Sequence, residues 1–177
     1  VEDRGYQFAD GVYEVFAVMD GKLIGEQGHF DRLAHSLKEL RIAWPMDRPA
    51  LKIIINEIAR RNHVSHGSIY LQITRGSAPR DHPFPTHSKS ALVVTGKKTR
   101  PFDIKAFEKG VDVITIQDIR WKRCDIKSVA LLPNVLGKQQ AREAGAFEAW
   151  QLDEDGFITE GTSTNAWIVA PNGDLVT

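Results

Sequence analysis

The period of the hydrophobic pattern changes repeatedly along this chain, which restricts it to folds that contain both strands and helices. Apolar residues partly alternate over residues 11–24 on both sides of Asp20-Gly21, a dipeptide typical of tight β-hairpin turns. Apolar residues then recur at helical spacing over residues 30–41 and 49–61, which predicts two amphipathic helices. The sequence therefore predicts a mixed α+β fold.

Further strand and helix patterns follow, with one irregular segment among them. A helix is predicted at residues 134–144, and strands at 69–74, 91–95, 111–116, 148–152, 157–159 and 166–169. Residues 75–85 are rich in glycine and proline, which oppose regular structure and favour a shaped loop. Such loops often carry functional residues.

A polar stretch near the middle of the chain predicts a connection between domains. Residues 96–110 contain Pro101 and only a short possible helix or turn around Phe107. We therefore predict an N-terminal α+β domain at residues 1–100, a connecting segment at 101–110 and the first part of a C-terminal domain at 111–177.

The charge balance and the cysteine count argue for small-molecule chemistry. The 23 basic residues match the 23 acidic residues, so no overall field attracts nucleic acid or an anionic membrane. No apolar run reaches the roughly 20 residues that a membrane span needs. Cys124 is the single cysteine, which fits a reducing compartment and predicts a cytoplasmic location. The histidines show no metal-ligand spacing, so we expect no metal site.

Lys127 is the residue whose setting most suggests chemistry. It lies between Ile126 and an apolar run that begins at Val129. Burial of a lysine side chain favours the neutral amine, which can form a Schiff base with an aldehyde. On these grounds alone, a lysine that extends its stem and keeps its charge in solvent is the commoner arrangement.

The segment around Lys127 resembles a known family. Residues 120–128 read Arg-Trp-Lys-Arg-Cys-Asp-Ile-Lys-Ser, similar to the lysine segment of D-amino acid aminotransferases, which are class IV, fold-type IV pyridoxal-phosphate enzymes. Four more segments match the family in order: Ala-Asp-Gly-Val-Tyr-Glu-Val (9–15), His-Phe-Asp-Arg-Leu (29–33), Thr-Arg-Gly-Ser-Ala-Pro-Arg-Asp-His (74–82) and Glu-Gly-Thr-Ser-Thr-Asn (160–165). The resemblance implies an N-terminal α/β sandwich-like domain and the first part of a C-terminal pseudo-barrel domain, in a chain that is incomplete at its C-terminus.

The resemblance also implies three cofactor-binding residues. Lys127 would form the Schiff base with pyridoxal phosphate and move a proton during catalysis. Glu160 would lie at the pyridine nitrogen, and Arg32 would bind the phosphate. Without the resemblance, Glu160 reads as an exposed carboxylate or a cap, and Arg32 as a solvated helix arginine.

Three further residues are implied to bind the substrate. Tyr13, Arg80 and His82 would receive the α-carboxylate, with Arg80 and His82 supplied by the neighbouring subunit of a homodimer. The implied reaction is ping-pong transamination between a D-amino acid, such as D-alanine, and a 2-oxo acid, such as 2-oxoglutarate. Tyr13 could equally be a core aromatic residue, and the loop pair could simply be solvated.

Alternative functions remain open at this point. A branched-chain L-amino acid aminotransferase or an aminodeoxychorismate lyase would share the fold but differ at the loop pair. A catalytically silent structural or interaction subunit would keep the fold without a complete phosphate site.

Overall fold

The computed structural model describes residues 1–100, 105 and 108–177. The chain forms two compact units, Val1–Phe102 with Arg123–Ala130, and Asp103–Lys122 with Leu131–Thr177. The division at 1–100, 101–110 and 111–177 stays a prediction; in the structure, the segment with Lys127 packs with the first unit. Pro101 and Phe107, around which a short helix or turn was predicted, lie outside the described residues. None of the helices in the described ranges is both long and apolar enough to cross a bilayer.

The first unit combines one antiparallel sheet with three helices. The sheet order is β2-β1-β3-β4. In chain order the elements are α1 (Arg4–Phe8), β1 (Gly11–Met19), β2 (Lys22–Leu23), α2 (Glu26–Glu39), α3 (Arg48–Arg61), β3 (Gly67–Thr74) and β4 (Ala91–Lys98).

The core of this unit lies between one face of the sheet and the helices α2 and α3. Alternate residues of β1, among them Val12 and Phe16, are fully buried there. Leu33 from α2 and Leu51 from α3 belong to the same buried cluster. Each such side chain contributes roughly 1.5–3 kcal/mol through burial. Side chains alternate between the two faces of a strand. Tyr13, which lies between two buried residues of β1, therefore points to the opposite face of the sheet.

The predicted hairpin and both helices are confirmed, with shifted ends. Asp20 and Gly21 have φ values of 50° and 73°, as a two-residue hairpin turn requires. The second helix is capped by Asp47, whose carboxylate accepts a hydrogen bond of 2.8 Å from the Ala50 N–H. The helix predicted at 30–41 begins earlier, at Glu26.

Two features of the first unit differ from the prediction. The strand predicted at 91–95 is longer in the structure, because β4 continues to Lys98 in register with β3. Polar residues can occupy this strand because it forms the edge of the sheet, with one side facing solvent. Helix α1 was not expected, because five residues carry no helical period; Asp3 caps it by accepting a hydrogen bond of 2.8 Å from the Gly5 N–H.

The second unit contains a parallel strand pair joined through a helix. Its elements are β5 (Val113–Gln117), α4 (Leu132–Glu143), β6 (Glu148–Leu152), β7 (Ile158–Gly161), β8 (Ile168–Val169) and β9 (Leu175–Val176). β5 and β6 are parallel, β6 and β7 are antiparallel, and β8 pairs with β9. The predicted elements are present, although the strand predicted at 166–169 is shorter and the helix predicted at 134–144 begins at Leu132, directly before Pro133.

The irregular loop between β3 and β4 is fixed at both ends. Gly76 has a φ of 90°, and a Cβ at this position would lie 1.9 Å from the carbonyl oxygen of Lys89. Arg75 is buried and donates to the Asp10 carboxylate at 2.7 and 2.9 Å. The ring of Phe84 lies 3.7 Å from the Arg75 guanidinium carbon. These contacts hold the two ends of the loop close together and attach Phe84 to Arg75.

Gly76→Ala tests this closure. We expect a loss of about 2–4 kcal/mol in unfolding free energy, because alanine disfavours positive φ and its methyl group would collide with a backbone oxygen. The measurement is urea unfolding followed by circular dichroism. Gly28→Ala is the matched control, because Gly28 lies in α2 with open space around it. Alanine at this position should raise the unfolding free energy by about 0.5–1 kcal/mol. Equal destabilisation by both variants would show that the backbone at Gly76 does not require glycine.

Candidate active site

Main-chain pairing places Lys127 beside Tyr13. The Tyr13 N–H donates to the carbonyl oxygen of Lys127 at 3.0 Å, and the Val129 N–H donates to the carbonyl oxygen of Gly11 at 3.0 Å. The segment thus adds a short antiparallel bridge to the start of β1. The half-buried Lys127 side chain places Nζ 4.7 Å from the centre of the Tyr13 ring. The two predicted site residues are therefore neighbours although 114 positions separate them in sequence.

Contacts with helix α2 hold the lysine segment in place. The Lys127 N–H donates to Ser36 Oγ at 3.1 Å, and the side chain of Ile126 is buried in the core. Arg123 joins Asp125 at 2.9 Å and Glu39 of α2 at 2.5 Å. Exposed ion pairs of this kind contribute little individually. The buried Ile126 and the main-chain hydrogen bonds therefore carry most of the positioning.

Arg32 is oriented by a buried carboxylate. Glu14 of β1 has a fully buried side chain, and it accepts two hydrogen bonds of 2.7 Å from Arg32 Nε and Nη2. His29 Nδ1 lies 2.7 Å from the same carboxylate. A buried carboxylate is costly unless it is paired, so this arrangement stabilises itself and fixes the guanidinium plane. The Arg32 side chain remains 47% exposed, so an anion can still approach it.

Arg80 and His82 lie together on a different aromatic ring. The His82 ring centre is 5.4 Å from that of Phe8, and the Arg80 guanidinium carbon lies 5.1 Å from the Phe8 ring centre. Both side chains are exposed within this chain. The loop therefore presents two groups suited to a carboxylate on the surface of the first unit.

Glu160 belongs to the second unit, where it pairs with Arg120. Arg120 Nη1 donates to Glu160 Oε2, and Nη2 donates to Asp118 Oδ2 at 2.8 Å. The hydrogen bonds from Arg120 lower the pKa of the Asp118 carboxyl to about 2. Glu160 itself stays 42% exposed. Its carboxylate is thus held in direction by an arginine and remains accessible.

The turn after Glu160 is built around a second buried carboxylate. Glu148 is 2% exposed and accepts hydrogen bonds from the hydroxyl groups of Thr162, Ser163 and Thr164 and from the Ser163 N–H. Burial alone would raise the pKa of Glu148, but the hydrogen bonds from Thr162, Ser163 and the Ala149 N–H outweigh it and lower the pKa to about 2. Glu148 therefore fixes the residues that directly follow Glu160.

Several residues that contact these groups were not predicted as site residues: Phe8, Glu14, Arg120, Glu148, and Arg4, which donates to the carbonyl oxygens of Asp81 and His82. Glu14 and Glu148 each interrupt an apolar strand pattern, and a lone carboxylate in such a strand signals a buried, paired group. Arg4 and Phe8 gave no such signal, because α1 has no recognisable period. The six predicted residues divide between the units, with Glu160 in the second and the others in the first.

Comparison with known proteins identifies a family and close relatives. The sequence profile of the family "Amino-transferase class IV" matches residues 11–177. The D-alanine aminotransferase of Bacillus licheniformis is 44% identical over 176 residues, covering 97% of this chain and 60% of the relative. That of Staphylococcus epidermidis is 41% identical over 168 residues, covering 95% and 59%. The chain thus spans about three-fifths of the length of these relatives.

Solved structures show the same fold at lower sequence identity. The branched-chain amino acid aminotransferase of Escherichia coli superposes with a TM-score of 0.84 at 20% identity, covering 99% of this chain and 60% of that chain. A hypothetical aminotransferase from Mycobacterium tuberculosis, in a PLP-bound form, gives 0.83 at 21% identity, covering 99% and 63%. At this identity the likeness establishes the fold, and the expected fold-type IV architecture is confirmed.

The Glu148 network predicts a specific acid sensitivity. A carboxyl group whose pKa is lower in the folded state than in the unfolded state stabilises the fold. This stabilisation is complete at pH values above the unfolded pKa and is lost as the pH falls through the folded pKa. Between the ordinary pKa of 4.5 and the folded value of about 2, the full contribution is roughly 3 kcal/mol. We expect wild type to lose about 2 kcal/mol more unfolding free energy between pH 7 and pH 3 than Glu148→Gln, which cannot titrate.

Urea titrations followed by tryptophan fluorescence at the two pH values measure this difference. The matched control is Glu154→Gln, an exposed carboxylate of the same unit, which should leave the pH dependence of wild type unchanged. Identical pH dependence for wild type and Glu148→Gln would show that Glu148 does not hold the turn through its ionised form.

Proposed function

Since the chain belongs to the amino-transferase class IV family, we propose that the complete protein transfers the amino group of a D-amino acid to a 2-oxo acid with pyridoxal phosphate as its cofactor. The observation that carries the proposal is the lysine at position 127, half-buried and fixed by main-chain hydrogen bonds beside Tyr13. The identity of 41–44% to D-alanine aminotransferases supports the substrate class.

The described residues fit the proposed cofactor chemically. Pyridoxal phosphate carries an aldehyde, a phosphate and a pyridine nitrogen. Lys127 offers an amine for the aldehyde, Arg32 a rigid guanidinium for the phosphate, and Glu160 a carboxylate for the ring nitrogen. When bound, the cofactor supplies a ring that withdraws electrons from the substrate Cα.

Lys127 is proposed as the residue that moves the proton. With the cofactor in place, the Lys127 amine would take the proton from the substrate Cα, hold it on Nζ and release it again as the amino group is transferred. The face of the Tyr13 ring at 4.7 Å attracts a positive charge on Nζ. Tyr13 thus helps Lys127 to hold the proton between its removal and its delivery.

Arg80 and His82 are proposed to bind the α-carboxylate. They offer N–H donors on a shared aromatic support, and both are exposed within the chain. We propose, as the resemblance implies, that in a homodimer they serve the site of the partner subunit, while Tyr13 serves its own. The cytoplasmic location expected from the single cysteine stays a prediction.

The Lys127→Ala variant of the complete protein tests the proposal. Borohydride reduction should attach the cofactor covalently to wild type, and peptide mass spectrometry should locate it on Lys127. In the variant, we expect no covalent label and a fall of roughly 10³-fold or more in D-alanine transamination with 2-oxoglutarate. Lys122→Ala, five positions earlier and exposed, is the matched control and should behave as wild type.

Three results would replace the proposal with another function. Faster turnover of L-leucine or L-valine than of D-alanine would indicate a branched-chain aminotransferase. Release of pyruvate from aminodeoxychorismate without an amino acceptor would indicate a lyase. A complete protein that binds no pyridoxal phosphate would indicate a catalytically silent subunit.

A further inference from the structure

We propose that helix α1 positions the loop pair Arg80 and His82 for carboxylate recognition, with Phe8 as the ring that supports both side chains and Arg4 as the group that fixes the loop backbone. The inference rests on the proposed function, because it assigns the pair to a substrate carboxylate. It adds two positioning residues that touch neither substrate nor cofactor.

The Phe8 ring contacts three cationic or ionisable side chains. The Arg80 guanidinium carbon lies 5.1 Å from the ring centre, and that of Arg4 lies 4.7 Å away. The His82 ring is tilted by 58° against Phe8 at a centroid distance of 5.4 Å. An arginine and a histidine on an exposed loop would otherwise sample several rotamers. Contact with one half-buried ring restricts the rotamers of both side chains.

Arg4 fixes the backbone between the two loop residues. Its side chain is 4% exposed, and Nε donates to Asp10 Oδ2 at 2.8 Å. Nη1 donates to the carbonyl oxygen of Asp81 at 2.6 Å, and Nη2 donates to that of His82 at 3.3 Å. Charge-assisted hydrogen bonds from a planar group to two successive carbonyls define the orientation of that stretch of backbone.

Helix α1 is itself attached rigidly to the end of β3. The Thr74 hydroxyl donates to Asp3 Oδ2 at 2.7 Å, and the Arg4 N–H donates to the carbonyl oxygen of Gly76 at 2.9 Å. A Cβ on Gly5 would lie 2.3 Å from the Thr74 methyl carbon, so the helix packs closely on the strand. The support therefore moves with the sheet that also carries Tyr13.

The physical consequence is preorganisation of the carboxylate site. Ordering two mobile side chains at the moment of binding would weaken binding, and a support that orders them beforehand removes this cost. Loss of the support should weaken the binding of every substrate that has an α-carboxylate. The weakening should be the same in the ground state and in the transition state. It should therefore raise KM and leave kcat nearly unchanged.

The test uses Phe8→Leu in the complete, cofactor-loaded protein, because Phe8 is only partly buried and leucine retains its apolar contacts. We expect KM for D-alanine to rise about tenfold while kcat stays within about twofold of wild type. Phe8→Tyr keeps the ring and should restore the wild-type KM. Tyr6→Leu makes the same type of change at an exposed position of the same helix and is the matched control, expected to leave both constants unchanged.

A second readout separates this inference from the proposed function. Propionate has a carboxylate but no amino group, and its affinity for each protein can be measured by isothermal titration calorimetry. We expect Phe8→Leu to weaken propionate binding about tenfold. If wild type fails to transaminate D-alanine but this weakening is seen, the proposed function fails and the positioning role stands.

The opposite results would overturn the positioning role. If wild type transaminates D-alanine, and Phe8→Leu changes neither KM nor propionate affinity, Phe8 does not position the pair. A parallel loss of kcat, cofactor absorbance and unfolding free energy in Phe8→Leu would show a general structural role instead. Absence of both D-alanine turnover and propionate binding in wild type would contradict both proposals.

Discussion

The start of strand β1 is the constraint on which the first unit's functional groups depend. On one edge it pairs with β3, and on the other it receives the short bridge that contains Lys127. Because side chains alternate along a strand, Tyr13 and Glu14 point to opposite faces. Tyr13 meets Lys127 on one face, and Glu14 orients Arg32 from α2 on the other. One stretch of extended backbone thus sets the position of two residues that are distant in sequence and that we propose to bind the cofactor.

Buried carboxylates fix functional groups at several places in the chain. Glu14 holds the Arg32 guanidinium, and Glu148 holds the turn that follows Glu160. Asp10 binds both Arg4 and Arg75 at the base of the loop between β3 and β4. In each case the carboxylate accepts enough charged or polar donors to offset its desolvation. Directional hydrogen bonds of this kind orient a group more sharply than apolar packing does, which suits the proposed binding of a cofactor and a substrate.

Local features of the fold could be predicted from sequence, while contacts between distant segments could not. The Asp20-Gly21 hairpin and the helix capped by Asp47 depend on neighbouring residues, so their patterns identify them. The length of the edge strand β4 was underestimated, because an edge strand with one side exposed to solvent can contain polar residues. The position of Lys127 followed only from its family resemblance, since no periodicity reports the hydrogen bonds that join residues 127–129 to β1. The support under Arg80 and His82 was missed because a five-residue helix has no period to detect.

We propose that Lys127 removes the α-proton from D-amino acids, and a half-reaction measures this role without the second substrate. The complete protein, loaded with pyridoxal phosphate, is mixed with D-alanine or L-alanine in the absence of a 2-oxo acid, and pyruvate is quantified over time. We expect that D-alanine gives pyruvate up to one equivalent per cofactor, that L-alanine reacts far more slowly, and that Lys127→Ala gives no pyruvate from either enantiomer. Faster pyruvate formation from L-alanine, or undiminished formation by the variant, would contradict this proposal.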